Sequence, residues 1–431
     1  MSAARDVLKV YVLPVSGGWF PMQLMLLGQV YQARLLNAGG RFKSTEEYTP
    51  DICCAASGGN IATYIAMAGD WSDAGISRVS SNIHSEMFCR NWWPGYMTFL
   101  PTWVLGIFAG ALFRTGYGAN MLLDKIFTPS TIQKTEIWTG TFNQSTRTCE
   151  LFCNKKPGET YVWPLTYNRF LYRSMPLNFL RGNMMEIGKA IMASASIPFI
   201  FNSQTIGNHE YADGGIMYAS PLTPLQDEIC RIVTGVAAPP QEVMLAPPIQ
   251  SYSNLSRGSR GPSPRNSSNR PTPPPESVQF SHNLGQEFDE VNEQIEGLPR
   301  TVKKMQLIYF ACVNVDEIEI GCKNDGLSHM VGTIRGFTVS ITLQDRVAAI
   351  NILTQIAGGR RERLTFLSYP VLDVTKLAGL LRDIEPYDYV LYLYVGNNPP
   401  LDMTSFKTDA INECIQRENL GYSAHVWVYK P

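Results

Sequence analysis

The chain has 431 residues, 45% of them hydrophobic, and its formal net charge is −1 at pH 7. This length suffices for one large α/β domain or two ordinary domains, and the apolar fraction suffices for a sizeable core. The nearly balanced charge argues against a nucleic-acid binder that works through bulk electrostatics.

The first half of the chain alternates between apolar runs typical of strands and patterns typical of helices. A turn of small residues, Ser16-Gly17-Gly18, separates the first strand from the first helix, in which Pro21 suits the opening turn. The predicted elements are a strand at Leu8–Val15, a helix at Pro21–Leu36, a strand and a helix that meet near Ser57 and end near Ala68, helical structure over 86–128, a hairpin of Glu136–Phe142 and Thr148–Cys153, and helices at Met184–Ala195 and Leu222–Ile229.

The same alternation returns after residue 300. The predicted strands are Gln306–Asn314, Leu364–Tyr369, Tyr387–Tyr394 and Ala424–Tyr429, and the predicted helices are Thr342–Ala357 and Ser405–Glu418. Strands that alternate with helices favour a largely parallel sheet with helices on both faces. The sequence therefore predicts an α/β fold.

A segment of biased composition interrupts this alternation at residues 237–300. It is rich in Pro, Ser and Arg, as in Ser256-Arg257-Gly258-Ser259-Arg260-Gly261-Pro262. Such a composition buries too little apolar surface to offset the entropy of ordering, so we expect most of the segment to be disordered. It is either a passive insertion or a docking segment for a protein partner or anionic lipid. This divides the chain into a first part of the core at 1–236, the insertion, and strands and helices at 301–431 that complete the same domain.

The stretch Trp92–Phe113 comes closest to a membrane span, but Pro94 and Pro101 interrupt it and its uninterrupted part is too short. We interpret it as a buried helix, with a membrane-contacting or lid helix as the alternative. The N-terminus lacks the features of a signal peptide, and nine cysteines without paired CxxC spacing indicate reduced thiols rather than disulfides or a zinc site. We therefore expect an intracellular, cytoplasmic protein that associates peripherally with membranes.

Ser57 lies where an apolar strand-like run changes directly into a helical pattern. Such an elbow exposes a serine hydroxyl, and its crowding requires small residues two positions before and after the serine. Ala55 and Gly59 occupy those positions. The N-terminus of the following helix favours a negative charge that develops beside the serine. The second prominent turn is Asp213-Gly214-Gly215, a carboxylate followed by two glycines.

Four motifs follow one another in the order found in patatin-like phospholipases, a family that the chain resembles over roughly residues 8–235. They are the glycine turn Ser16-Gly17-Gly18, the elbow Ala55–Gly59, the block Ala193–Phe201, which is similar to Ala-Ser-x-x-x-Pro-x-x-Phe, and Asp213-Gly214-Gly215. The resemblance implies a three-layer sandwich with a mostly parallel central sheet and helices on both faces.

The resemblance also implies a Ser–Asp dyad that works without a histidine. Ser57 would be the nucleophile and Asp213 the general base. The oxyanion donors would be the backbone N–H groups of Gly17, Gly18 and Gly58. The small residues that support the two catalytic motifs are Ala55, Gly59, Gly214 and Gly215. No metal or other cofactor is implied, and no Asp, Glu and His cluster in the sequence resembles a calcium or zinc site.

The implied function is that of a lipid acyl hydrolase, either a phospholipase A-type enzyme or a lysophospholipase or neutral-lipid esterase. It would form an acyl-enzyme, which an acyltransferase would share. The expected partners are an acyl-ester lipid and a membrane surface, contacted through Trp92–Phe113, and no nucleic acid. The turn Ser16–Pro21 departs from the family pattern G-G-G-x-R/K-G at the first glycine, the basic residue and the last glycine. The alternative is therefore a catalytically weakened relative that serves as a lipid- or membrane-binding structural component.

Three further side chains near these motifs have alternative interpretations. His209, four residues before Asp213, would complete a triad with Ser57 if the fold brought it close, but we interpret it as a loop residue. Ser194 and Ser196 lack a glycine-lined elbow, so we interpret them as packing or helix-capping residues.

Overall fold

A computed structural model of the chain describes residues 7–81, 111–113, 135–154, 177–179, 184–234, 302–312, 326–359, 363–371, 373–395 and 422–430. An eleven-stranded sheet runs through this part of the chain, and a separate pair of short strands lies outside it. The strands are β1 (Val7–Leu13), β2 (Ile52–Ala56), β3 (Ala111–Phe113), β4 (Glu136–Asn143), β5 (Thr148–Cys153), β6 (Leu177–Phe179), β7 (Phe199–Phe201), β8 (Gln204–Ile206), β9 (His209–Asp213), β10 (Lys304–Ala311), β11 (Leu364–Val371), β12 (Asp388–Val395) and β13 (Tyr422–Tyr429). The helices are α1 (Phe20–Asn37), α2 (Gly58–Ala68), α3 (Asp73–Ser80), α4 (Met184–Ser194), α5 (Leu222–Thr234), α6 (Gly326–Ile356) and α7 (Val374–Ile384).

The centre of the large sheet is parallel and its flanks contain antiparallel pairs. The strand order is β11-β13-β12-β10-β1-β2-β4-β5-β6, and the run from β12 to β4 is parallel throughout. β13 lies antiparallel between β11 and β12, and β5 forms the predicted hairpin with β4. β10, which follows residues 235–301 in the chain, lies between β1 and β12, so strands from both sides of that segment share one sheet.

Helices cover both faces of the sheet. Side chains alternate between the two faces along each strand, and both faces present apolar residues that helices bury. On one face Tyr11 and Leu13 of β1 pack into a core with α1, α2, α3, α4 and α7. On the opposite face Val10 and Val12 pack into a core with α5 and α6. The predicted α/β fold, a mostly parallel central sheet between two helical layers, is confirmed.

Several element predictions are wrong in extent or type. The predicted helix at Thr342–Ala357 belongs to a longer helix, α6, that begins at Gly326. Residues 111–113, at the end of the aromatic stretch that was predicted to be helical, form β3, which pairs in parallel with β7. A short apolar run fits a helix or a strand equally well by its periodicity, and here pairing with Phe199–Phe201 decides the outcome.

The remainder of Trp92–Phe113, the segment 237–300 and the predicted helix Ser405–Glu418 lie outside the described residues. Within the described ranges, no helix combines the length and apolarity that a membrane span requires.

Candidate active site

Ser57 lies in a strained turn between β2 and α2. Its backbone has φ 55° and ψ −132°, in a region that non-glycine residues rarely adopt. A conformation of this kind costs about 1–3 kcal/mol and persists only where the surroundings enforce it. One such contact is a hydrogen bond that the Ser57 N–H donates to Ser194 Oγ at 3.0 Å. The Ser194 hydroxyl in turn donates to the Gly140 carbonyl of β4 at 2.7 Å, which ties the elbow to the neighbouring strand.

The two glycines after Ser57 allow the elbow to contact the turn that follows β1. A Cβ on Gly59 would overlap the carbonyl oxygens of Leu13 and Pro14, and a Cβ on Gly58 would overlap the Gly17 carbonyl. Ala55, the other predicted small residue, is fully buried in β2. The predicted oxyanion residues Gly17 and Gly18 therefore lie against the first turn of α2.

The register of β4 explains how Asp213 reaches Ser57. Along one edge of β4, β2 pairs up to Ala56 opposite Gly140, and β9 continues the same edge with Asp213 opposite Thr141. The end of β2 and the end of β9 therefore meet at adjacent residues of one strand. Ser57 follows Ala56 directly, so the sheet itself brings the predicted nucleophile and the predicted base together. The Ser57 side chain lies close enough to the Asp213 carboxylate to lower its pKa.

Burial gives Asp213 an unusual affinity for protons. The side chain is 3% exposed, and burial raises its pKa from an ordinary 3.8 to about 7. The nearby Ser57 side chain and the hydrogen bond that the Gly215 N–H donates at 2.7 Å act in the opposite direction, because both favour the carboxylate. A carboxyl group with a pKa near 7 is suited to accept and return a proton at neutral pH.

Gly214 and Gly215 pack this turn against both neighbouring motifs. A Cβ on Gly214 would overlap the backbone of Gly140 and Thr141, and a Cβ on Gly215 would overlap the Val15 side chain. Val15 immediately precedes the turn Ser16-Gly17-Gly18, and its N–H donates to the Ala219 carbonyl at 2.8 Å. The aspartate turn and the glycine turn after β1 are therefore directly connected.

A buried glutamine on α1 also holds the glycine turn through hydrogen bonds. Gln23, which is fully buried, accepts a hydrogen bond from the Ser16 hydroxyl at 2.9 Å. Its amide donates to the carbonyls of Pro14, at 2.9 Å, and Phe310, at 3.1 Å. Gly17 has a positive φ of 52°, which glycine tolerates. Ser16 and Gln23 thus order the turn in a chain that lacks the basic residue of the family pattern.

Sequence reasoning missed the roles of Gln23 and Ser194. Both act through contacts between residues far apart in the chain, such as the bond between Ser57 and Ser194, and local patterns do not reveal such pairs. The Ala193–Phe201 block was the one signal that could have directed attention to Ser194. Ser196 is likewise buried, and its carbonyl accepts a hydrogen bond from the Asp213 N–H at 3.0 Å.

The structure does not bring His209 to Ser57. His209 is exposed at the start of β9, and Asp213 is at its end. Four residues of extended strand span roughly 13 Å, so the two side chains lie at opposite ends of β9. Among the described residues, no group of three or more His, Cys, Asp or Glu is arranged to hold a metal ion.

Comparison with known families agrees with the fold. The family model for patatin-like phospholipases matches residues 27–225 of the chain. The chain contains a patatin-like phospholipase domain. Ser57 and Asp213 both lie within the matched part of this patatin-like domain, whereas the turn Ser16-Gly17-Gly18 precedes it. No curated protein matches the chain. At a coarse level, the patatin-like domain supports a lipid acyl hydrolase.

Proposed function

We propose that the protein hydrolyses acyl esters of lipids, with Ser57 as the nucleophile and Asp213 as the general base. The observation that carries the proposal is the meeting of β2 and β9 at adjacent residues of β4. The effect of the Ser57 side chain on the pKa of the buried Asp213 carboxylate supports it. The raised pKa of Asp213 supports the same role, because a base is most effective when its pKa lies near the working pH.

The proposed reaction has two halves. In the first, Ser57 Oγ attacks the ester carbonyl carbon while its proton passes to the Asp213 carboxylate. The tetrahedral intermediate collapses, the bond to the alcohol oxygen breaks, and Asp213 returns the proton to the leaving alcohol. In the second half Asp213 takes a proton from water, the resulting hydroxide attacks the acyl-Ser57 ester, and the fatty acid leaves as Ser57 regains its proton.

The negative charge on the tetrahedral intermediate needs hydrogen-bond donors beside Ser57. We assign this role to the backbone N–H groups of Gly17, Gly18 and Gly58. The support is that Gly58 begins α2, where N–H groups lack partners within the helix, and that the Gly17 backbone packs against it. Loss of one donor of this kind typically reduces the rate by about 10²–10³-fold.

The proposed substrate is a phospholipid, a lysophospholipid or a neutral glycerolipid at a membrane surface. Ile216, 41% exposed and directly after the Gly214-Gly215 turn, supplies an apolar surface beside the proposed base. We assign this exposed side chain to contact with the acyl chain of the substrate. Peripheral membrane association of a cytoplasmic protein, and a protein partner for residues 237–300, belong to the same proposal.

A fluorophosphonate probe tests the catalytic proposal directly, because it labels only an activated serine. We expect the wild-type protein to be labelled and to cleave short acyl esters. Ser57→Ala should abolish both signals, and Asp213→Asn should reduce labelling by about 10²–10⁴-fold, the usual contribution of a general base. Ser196→Ala is the matched control, since Ser196 is equally buried nearby but has no proposed chemistry. Persistent labelling of Ser57→Ala would show that another residue reacts.

The second candidate function is that of a lipid-binding protein that has lost catalytic activity. It is favoured by the turn Ser16–Pro21, which lacks three residues of the family pattern. In that case the wild-type protein would bind phospholipid vesicles, whereas fluorophosphonate labelling and ester hydrolysis would both be undetectable.

A further inference from the structure

A second buried aspartate, Asp345 on α6, contacts the segment that follows the catalytic turn. Its side chain is fully buried. The Thr223 hydroxyl donates to Asp345 Oδ1 at 2.8 Å, and the Tyr309 hydroxyl donates to Oδ2 at 3.2 Å. The side chain and the backbone N–H of Ser220 also lie close enough to this carboxyl group to favour its charged form. A buried carboxyl group is tolerated only where hydrogen-bond donors surround it. The donors around Asp345 therefore compensate for its burial.

Ser220 connects this cluster to both halves of the proposed active site. Its neighbour Ala219 accepts the hydrogen bond from the Val15 N–H, immediately before the glycine turn. The loop that ends at Ser220 begins at Asp213, whose N–H donates a hydrogen bond to the Ser196 carbonyl. The loop from Asp213 to Ser220 is thus fixed at its start by β9 and at its end by the donors around Asp345.

We propose that Asp345 is a positioning residue of the active site, which acts through Ser220 to hold the base turn and the glycine turn in register. This inference rests on the proposed function of Ser57 and Asp213. It gives α6, which lies outside the part matched by the family model, a defined role in the chemistry. Misplacement of catalytic groups by about 1 Å can reduce a rate ~10²-fold, so loss of this anchor affects turnover more than binding.

The test compares Asp345→Asn, Ser220→Ala and the double variant in the full chain. Fluorophosphonate labelling of Ser57, and kcat and KM for a short acyl ester, are measured at a temperature where circular dichroism shows a folded protein. We expect Asp345→Asn to lower kcat and the labelling rate ~10-fold or more, with KM nearly unchanged. Because the two residues share the contact between Ser220 and Asp345, their effects should be less than multiplicative in the double variant, although Ser220 also accepts a hydrogen bond from the Leu222 N–H.

Asp388→Asn is the matched control. Asp388 is a buried aspartate that accepts a hydrogen bond from the Met305 N–H, and it lies at the start of β12, the end of the sheet opposite to Ser57. We expect this variant to lose stability and to keep the wild-type labelling rate. If Asp345→Asn does not fold, Ser220→Ala alone decides, because it removes only a hydroxyl group.

The outcomes separate the two proposals. Wild-type labelling with an unchanged rate in Asp345→Asn or in Ser220→Ala overturns the positioning role and leaves the dyad intact. The positioning role is also overturned if the effects of the two single substitutions multiply in the double variant, or if Asp388→Asn slows labelling as much as Asp345→Asn does. Absence of labelling in the wild-type protein, by contrast, contradicts the proposed function itself.

Discussion

In the proposed mechanism Asp213 has to be ionised before it can accept the proton of Ser57, and burial shifts that ionisation to about neutral pH. Burial raises its pKa to about 7 because the charged form is poorly solvated. We therefore expect kcat/KM for an uncharged ester to rise about tenfold per pH unit below pH ~7 and to level off above it. The fluorophosphonate labelling rate should follow the same curve.

This pH dependence is measured between pH 5 and pH 9, with circular dichroism at each pH to verify that the fold persists. An aspartate with an ordinary pKa would be ionised throughout this range. A rate that is constant from pH 5 to pH 8 would therefore contradict the role of Asp213 as a general base with a raised pKa.

Gly59 permits the closest backbone approach at the elbow, and its replacement should be costly. In Gly59→Ala the new methyl group meets the backbone carbonyls of Leu13 and Pro14, which cannot rotate away as a side chain can. We expect the free energy of unfolding to fall by about 1–3 kcal/mol and labelling of Ser57 to be lost. Urea denaturation and the fluorophosphonate probe measure the two effects.

The matched control for this substitution is Gly379→Ala. Gly379 lies inside α7, and no atom of the described residues outside its own stretch of helix lies within 4 Å of the position that its Cβ would take. Alanine is more favourable than glycine inside a helix, so the free energy of unfolding of this variant should be up to ~1 kcal/mol higher than that of the wild type. Labelling of Ser57 should be unchanged. Equal behaviour of the two variants would mean that the close approach at Gly59 has no special importance.

At the scale of the elements, strands with long apolar runs could be predicted from the sequence, and short strands could not. β1, β2, β4 and β5 combine apolar runs with clear turn residues, and the elbow was evident from the small residues around Ser57. β8 and β9 have three and five residues, and polar side chains such as His209 and Glu210 hide their strand pattern.

The position of β9 depends on contacts that no local pattern contains. The Tyr211 hydroxyl donates to Glu150 Oε2 at 2.8 Å, and the Asn143 amide donates to Glu150 Oε1 at 2.7 Å. A buried carboxyl group on β5 therefore holds β9 along β4, two residues before Asp213. The proposed dyad could be inferred from motifs, whereas the contacts that bring its two residues together required the tertiary structure.

At the scale of the whole molecule, the patatin-like match ends at residue 225, but the sheet does not. β10 pairs with β1 along its length, and its side chains contribute to both cores. We expect residues 1–236 alone to aggregate, because β1 would expose an unpaired edge and the two cores would lose β10, β12 and α6. Size-exclusion chromatography and urea denaturation test this expectation.

Co-expression of residues 302–431 provides the control, since it returns β10 and its neighbours as a second chain. We expect this pair to be soluble and to be labelled at Ser57. A fragment of residues 1–236 that is monomeric, unfolds cooperatively and reacts with the probe would contradict the requirement for the C-terminal strands.

The pairing of β1 with β10 also has a kinetic consequence. Val10 lies opposite Leu307, so during synthesis β1 waits for almost three hundred residues before its neighbour on the side away from β2 exists. Contacts between such distant residues close slowly, and a waiting strand edge is prone to pair with other chains. Folding during synthesis cannot finish the sheet from its N-terminal end. We infer that the nascent chain depends on protection of the β1 edge until β10 has been made.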